Sequence, residues 1–203
     1  ARIYSESDLL VAECLRGGLC GIALAQLHAQ TGPLPLAQWQ DLAERLLKAV
    51  GLLHRRQILH RDIKPENLLL GDDGELRLLD FGLAYCPGLS EDQPSALPGT
   101  PSFIAPEAFR GEVPTPQQDL YAVGVTLFYL LTGHFPYGEI EAFQRPRFGR
   151  PVSASRYRPD LPDWLTQSLE RAVAADPGQR FETAEEWLLL IEQGERHSLN
   201  VRP

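Results

Sequence analysis

The chain has 203 residues, a formal net charge of −8 and an apolar fraction of 43%. This size fits one large domain or two very small ones, and the apolar fraction is too high for a disordered chain. The negative charge argues against non-specific nucleic-acid binding, which needs a basic surface to neutralise phosphates. The chain contains no methionine, even at position 1, so we expect it to be a piece of a longer product.

Neither a disulfide framework nor a membrane span is indicated. The three cysteines, Cys14, Cys20 and Cys86, lack zinc-ligand or C-x-x-C spacing and are interpreted as reduced thiols. The most apolar run, 120–131, has twelve residues, whereas about 20 are needed to cross a bilayer. No signal peptide opens the chain. We therefore expect a cytoplasmic domain.

The first part of the chain predicts a strand, a long helix and a hairpin. The apolar run 9–14 suits a buried strand. Over residues 36–53 the apolar side chains recur at helical spacing and form one buried stripe. The runs 67–70 and 75–79 flank a Gly-Asp-Asp-Gly turn, which indicates a small hairpin.

The second part predicts a long loop and three helices. Residues 83–105 show no apolar period, and long loops in compact domains are usually functional. The run 120–131 is apolar all round, which is typical of a helix buried on all sides. Residues 133–162 are rich in Pro, Gly and Arg and predict no regular element, and helices are expected over 164–175 and 184–192. Together, these predicted elements give a mostly helical body with one strand pair.

Four short motifs follow one another in the chain. The first, H-R-D-I-K-P-E-N, occupies residues 60–67, between the long helix and the hairpin. D-F-G follows the second hairpin strand at 80–82, and G-T and A-P-E follow at 99–100 and 105–107. Several ordered motifs carry far more information than any one of them alone.

The residue types in these motifs suit phosphoryl transfer, which needs positioning and charge neutralisation more than covalent chemistry. Asp62 can accept the proton of an attacking hydroxyl or orient it. Lys64 can neutralise a phosphate, and Asn67 and Asp80 offer the hard oxygen ligands that Mg²⁺ prefers. The hairpin between these two would hold both ligands on rigid strands.

With these motifs in this order, the sequence resembles the eukaryotic-type (Hanks-type) serine/threonine protein kinases. The resemblance implies a kinase-like α+β fold, with a mainly α-helical large lobe, short β-hairpins and a small lobe that is mostly missing. Residues 1–14 would be a remnant of small-lobe strands and hinge, and 15–195 the large lobe. The catalytic loop would be 60–67, the activation segment 80–107 and the tail 196–203.

The resemblance also implies ATP and Mg²⁺ as cofactors and a protein as substrate. It assigns catalytic roles to Asp62, Lys64, Asn67 and Thr100, the last as a hydrogen-bond partner of the catalytic aspartate and lysine. It places Glu13, Leu15, Leu69 and Asp80 at the nucleotide, with Asn67 and Asp80 as Mg²⁺ ligands.

Other residues match structural positions of the family. His60 and Phe81 would pack together, Asp119 would anchor the catalytic-loop backbone, and Glu107 would form a buried ion pair with Arg180. Arg61 beside Asp62 is the arrangement seen where phosphorylation of the activation segment controls activity. Ser90 and Ser95 are the candidate phosphorylation sites.

Two functions remain open at this point. The chain contains no G-x-G-x-x-G loop and no V-A-I-K strand, so we expect this fragment alone to transfer phosphate poorly or not at all. The alternative is a non-catalytic pseudokinase or interaction module. The intact set Asp62, Lys64, Asn67 and Asp80 favours the enzyme.

The last third is similar to the kinase half of bacterial proteins in which a PP2C-type phosphatase precedes the kinase. The segments 136–151, 155–165 and 180–194 carry this similarity, which implies a phosphatase domain in the same polypeptide and a membrane-anchoring tail beyond Pro203. Five arginines lie between 145 and 158. A solvated loop is favoured there over a docking patch for an acidic partner. The lone histidines, among them His54, are interpreted as surface or packing residues.

Overall fold

The computed structural model describes residues 21–86, 99–142, 144 and 146–200, with side chains as far as residue 194. This part of the chain contains six α-helices and three short β-strands. The strands are β1 (Gly21–Ala23), β2 (Leu68–Gly71) and β3 (Leu76–Leu78). The helices are α1 (Leu24–Thr31), α2 (Leu36–Arg55), α3 (Pro106–Phe109), α4 (Pro116–Thr132), α5 (Asp163–Ala172) and α6 (Ala184–Asn200). Short 3₁₀ turns lie at Pro65–Asn67, Pro101–Phe103, Ala154–Arg156 and Pro177–Gln179.

Helix α4 is the centre of the hydrophobic core. Thirteen of its 17 residues are buried, on every side of the helix, as the apolar run predicted. Helix α2 packs on it through one stripe, and the indole Nε1 of Trp39 donates to the Leu127 carbonyl oxygen at 2.8 Å. Helix α5 approaches at Gly124, where a Cβ would lie 2.9 Å from the Cβ of Ala172. Large apolar side chains and one close backbone approach therefore hold the helical body together.

The strands form one antiparallel sheet in the order β1–β2–β3. The predicted hairpin is present, with Leu68 opposite Leu78. A third strand, β1, was not predicted; it pairs with β2 on the other side, with Ala23 opposite Leu69. A Cβ on Gly21 would lie only 2.5 Å from the Leu70 carbonyl oxygen, so glycine permits this close approach. The sheet fixes both ends of the hairpin relative to the helices.

Several boundaries differ from those predicted. Helix α1 was not predicted, since only Leu24 and His28 of its eight residues are buried and its apolar period is weak. Helix α5 ends at Ala172 and α6 continues to Asn200. The expected strand at 9–14 lies outside the described residues. No helix in the described ranges has the length and apolar composition required to cross a membrane.

Candidate active site

The carboxylate of Asp62 is buried and its two oxygens have different surroundings. Lys64 Nζ lies 2.9 Å from Oδ2, and Asn67 Nδ2 donates to the same oxygen at 2.9 Å and to the Asp62 carbonyl at 2.7 Å. The other oxygen, Oδ1, is buried without a hydrogen-bond partner in the described part of the chain. A buried acceptor of this kind costs free energy until a donor reaches it, so Oδ1 suits an incoming hydroxyl group.

Gly99 and Thr100 lie against this carboxylate. Lys64 Nζ donates to Thr100 Oγ1 at 2.8 Å, whereas the expected bond from Thr100 to Asp62 is not among those in the described chain. Gly99 has a φ of 96°, and a Cβ there would lie 3.1 Å from both Asp62 Oδ1 and the Arg61 carbonyl oxygen. Glycine is therefore required on two grounds, backbone conformation and space.

His60 connects the loop at residues 60–67 to the hairpin. Its Nδ1 accepts from the Asp62 backbone N–H at 3.3 Å, and its Nε2 donates to the Leu79 carbonyl oxygen at 3.0 Å. This pair of bonds requires the neutral imidazole with hydrogen on Nε2. Burial lowers the pKa of His60, against the opposing effect of the Asp119 charge. The ring meets Phe81 edge to face with centroids 4.8 Å apart.

Asp119, in the first turn of α4, holds the backbone of this loop. Its Oδ2 accepts from the His60 amide at 2.8 Å and its Oδ1 from the Arg61 amide at 2.9 Å. His54 Nε2 lies 3.0 Å from Oδ2. Arg61 has a φ of 68°, a conformation that costs a non-glycine residue free energy. The two amide bonds offset this cost and fix the loop.

Asn67 and Asp80 come together at the end of the hairpin. Asn67 ends the 3₁₀ turn before β2, and its carbonyl accepts from the Leu79 amide at 2.8 Å. Asp80 is exposed, has a φ of 61° and accepts from the Gly82 amide through Oδ1 at 3.1 Å. Both residues thus flank the strands: Asp80 follows the second strand, as the sequence predicted, and Asn67 precedes β2, whereas the sequence placed it at the start of the first strand.

A separate bridge sets the direction of the chain after Asp80. Leu59 and Tyr85 form an isolated antiparallel bridge, with amide-to-carbonyl distances of 2.9 and 2.8 Å. Leu59 directly precedes the loop at residues 60–67, so the bridge keeps the chain near Tyr85 beside that loop.

A buried ion pair ties the far end of that segment to the helical body. The guanidinium of Arg180 donates to both oxygens of Glu107 at 2.7 Å, and the two side chains are 0% and 2% exposed. Arg180 also donates to the Gln117 and Ala174 carbonyls at 3.0 and 2.8 Å. Its carbon Cζ lies 4.8 Å from the ring centroid of Tyr121. The pair is fully hydrogen-bonded, which a buried ion pair requires.

The structure brings most of the predicted residues into this one region. Leu69 is buried on β2. Four predicted residues lie outside the described ranges, namely Glu13, Leu15, Ser90 and Ser95.

Two residues near the site were given no role in the sequence analysis. His54 was interpreted as a surface or packing residue, and no local pattern links it to Asp119, 65 residues later. Gly99 belongs to the G-T motif at 99–100, and its place directly before Thr100 is the sequence signal that could have indicated its closeness to the site.

Comparisons with known proteins agree with this geometry. The protein kinase domain family model matches residues 3–188. Serine/threonine-protein kinase PknK of Mycobacterium bovis is 39% identical over 167 residues, which are 80% of this chain and 15% of PknK. PrkC of Bacillus subtilis is 33% identical over 170 residues, 82% of this chain and 26% of PrkC. PknL of Mycobacterium tuberculosis is 33% identical over 180 residues, 86% of this chain and 44% of PknL. The chain spans less than half the length of each of these relatives.

Loss of one partner in the buried ion pair should strongly destabilise the fold. Arg180→Met leaves the Glu107 carboxylate buried without its partner, so we expect the free energy of unfolding to fall by about 3–5 kcal/mol. Arg110→Met is the matched control, because the Arg110–Glu112 pair is exposed and should contribute little. Urea denaturation of the two variants measures both effects, and equal losses would contradict the structural role of the buried pair.

Proposed function

This chain belongs to the protein kinase domain family, and we propose that it is the large lobe of a serine/threonine kinase that transfers the γ-phosphate of ATP to hydroxyl groups of a protein substrate. The observation that carries the proposal is the Asp62 carboxylate, with Oδ2 held by Lys64 and Asn67 and Oδ1 buried without a partner among the described residues. A hydroxyl donor is the group that this oxygen lacks.

Each side chain of the site has a distinct task in this proposal. Asp62 orients the acceptor hydroxyl and receives its proton through Oδ1. Lys64, between Asp62 and Thr100, supplies positive charge where negative charge increases on the transferred group. Thr100 positions that lysine, and Gly99 leaves space beside the carboxylate. The protein thus contributes orientation and charge, as phosphoryl transfer requires.

The donor atoms present fit a magnesium ion carried by ATP. Asn67 donates through Nδ2 to Asp62, so its Oδ1 is available as a ligand, and the exposed Asp80 carboxylate is adjacent through the Leu79–Asn67 backbone bond. No group of three or more His, Cys, Asp or Glu side chains in the described ranges could hold a metal by itself. Phosphate oxygens and water would complete the coordination, as is usual for Mg²⁺. When bound, the ion would neutralise phosphate charge.

The state of the activation segment is proposed to control the site through Arg61. Its guanidinium donates to the Leu83 carbonyl at 3.3 Å, while its Nε is buried with no hydrogen-bond partner among the described residues. A phosphate on Ser90 or Ser95 would offer that nitrogen a strong acceptor.

The proposal includes further domains of the full-length product. A PP2C-type phosphatase in the same polypeptide and a membrane anchor stay predictions that rest on sequence resemblance. A cytoplasmic location stays a prediction from the cysteine pattern.

Replacement of the proposed proton acceptor should abolish phosphate transfer. Asp62→Asn keeps the size of the side chain but removes its basicity, so we expect transfer to fall by about 10²-fold or more in the full-length gene product. A radiolabelled phosphate-transfer assay measures the effect, with Asp72→Asn, an exposed position in the hairpin turn, as the control. Unchanged activity of the Asp62 variant would remove its role, and an inactive unaltered protein would favour the non-catalytic module.

The space beside Asp62 can be tested separately from backbone strain. Gly99 and Gly111 both have positive φ, but a Cβ on Gly111 would meet no atom within 4 Å. Alanine at either position should cost about 1–2 kcal/mol of stability. We expect Gly99→Ala alone to lower kcat, by about tenfold or more, because its methyl group displaces the carboxylate. Equal kcat values for the two variants would contradict the proposed role of Gly99.

The 203-residue chain alone should transfer phosphate poorly. Its sequence contains two lysines, Lys48 and Lys64. Lys48 pairs with Glu44 on the surface of α2, so neither supplies the lysine that pairs with the α- and β-phosphates in this family. We expect autophosphorylation no greater than that of its own Asp62→Asn variant. Activity that depends on Asp62 in this chain would overturn the expectation.

A further inference from the structure

Three exposed arginines of the segment 146–158 differ from most of the described arginines. Seven described arginines form an ion pair with a carboxylate. Arg147, Arg150 and Arg156 are exposed and form neither an ion pair nor a side-chain hydrogen bond with the described residues. Arg150 lines a shallow cleft that also contains Glu170 and Asp176, yet neither carboxylate is within ion-pair distance.

The backbone that carries these arginines is fixed, although it is almost entirely irregular. The ring of Phe148 packs against Phe109 and Tyr137, with centroids 5.8 and 5.2 Å apart. The Val152 amide donates to the Pro136 carbonyl at 2.8 Å, and Ala154 is fully buried. The segment therefore has attachment points along its length, in contrast to a loose solvated loop.

The end of the segment is anchored as well. Tyr157 stacks on His134 with centroids 3.8 Å apart. Arg158 pairs with Asp160 at 2.8 Å and donates to the carbonyls of Leu34 and Leu131. This arginine is thus used inside the structure. Because the backbone is held, a ligand that binds the other three arginines has to order only their side chains and not the backbone.

The charge of the segment is opposite to that of the chain. Residues 146–158 contain four arginines and no acidic residue, whereas the whole chain has a net charge of −8. Exposed guanidinium groups match carboxylates in two-pronged pairs. The acidic remainder of the chain disfavours long polyanions such as nucleic acid, which would contact more than this segment.

The segment is continuous with the candidate active site. Ser102, two residues after Thr100, accepts from the Ile140 amide through Oγ at 2.9 Å. Phe103 meets Phe135 edge to face at 5.6 Å, and Phe109 ends the helix that follows. Phe109 in turn packs on Phe148, so the arginine segment is packed against the chain that follows Thr100.

We propose that residues 146–158 form a docking surface for an acidic segment of the protein substrate, with Arg147, Arg150 and Arg156 as the contacts. The inference rests on the proposed kinase function, because it takes the bound partner to be the substrate. It predicts that the kinase prefers substrates with Asp or Glu at a distance from the phosphorylated residue.

The test compares two triple variants of the full-length gene product. One replaces Arg147, Arg150 and Arg156 with glutamine. The control replaces three paired surface arginines with glutamine, Arg45, Arg55 and Arg110, so both variants lose the same charge. The probes are a fluorescent serine peptide with a block of glutamates and the same peptide with glutamines in place of the glutamates. Fluorescence anisotropy without ATP measures binding, and initial rates with ATP measure kcat and KM.

We expect the first variant to bind the acidic peptide at least about fivefold more weakly, since three exposed pairs are lost. Its KM for that peptide should rise with kcat unchanged, and the control should behave like the unaltered protein. Equal binding by both variants would overturn the proposal, as would a KM unaffected by the loss of binding. The proposal would also be overturned if residues 146–158 bound single-stranded DNA or phosphatidylserine vesicles more tightly than the acidic peptide. Self-association of the protein that is lost in the first variant would overturn it as well. If the acidic peptide binds through these arginines but neither peptide is phosphorylated, the docking surface is supported and the kinase function is contradicted.

Discussion

The Asp119 carboxylate accepts hydrogen bonds from the backbone amides of His60 and Arg61, and the geometry of the candidate active site depends on these two bonds. Asp119 is 1% exposed, so its charge must be compensated inside the protein. The amides and His54 provide that compensation. The same bonds hold Arg61 in a left-handed backbone conformation, and this conformation sets the direction of the backbone at Asp62.

The remaining parts of the site are connected to this hydrogen-bonded loop. His60 links the loop to the hairpin by a hydrogen bond to the Leu79 carbonyl, and its ring packs against Phe81. At the other side, the Glu107–Arg180 pair anchors the segment that carries Thr100. Helix α4 supports both, because it contributes Asp119 and lies under the guanidinium of Arg180. The loop at residues 60–67 and the segment that carries Thr100 and Glu107 are thus both attached to one buried helix.

The sequence predicted those elements whose signal is local. The apolar run of α4, the stripe of α2 and the hairpin turn have clear periodicity, and the prolines between 133 and 162 correctly indicated irregular structure. Strand β1 and helix α1 were missed because tertiary contacts define them, namely pairing with β2 and the packing of few side chains. The motif order indicated the site, but the contact of His54 with Asp119 and the closeness of Gly99 to Asp62 arise only from the fold.

The most direct test of this account is the turnover of Asp119→Asn in the full-length gene product. The amide keeps the volume of the side chain, yet its Nδ2 would face a backbone N–H where an acceptor is needed. If Asp119 positions the catalytic loop, kcat should fall by about 10²-fold while the affinity for Mg²⁺–ATP changes little. An unchanged kcat in a folded variant would contradict the account.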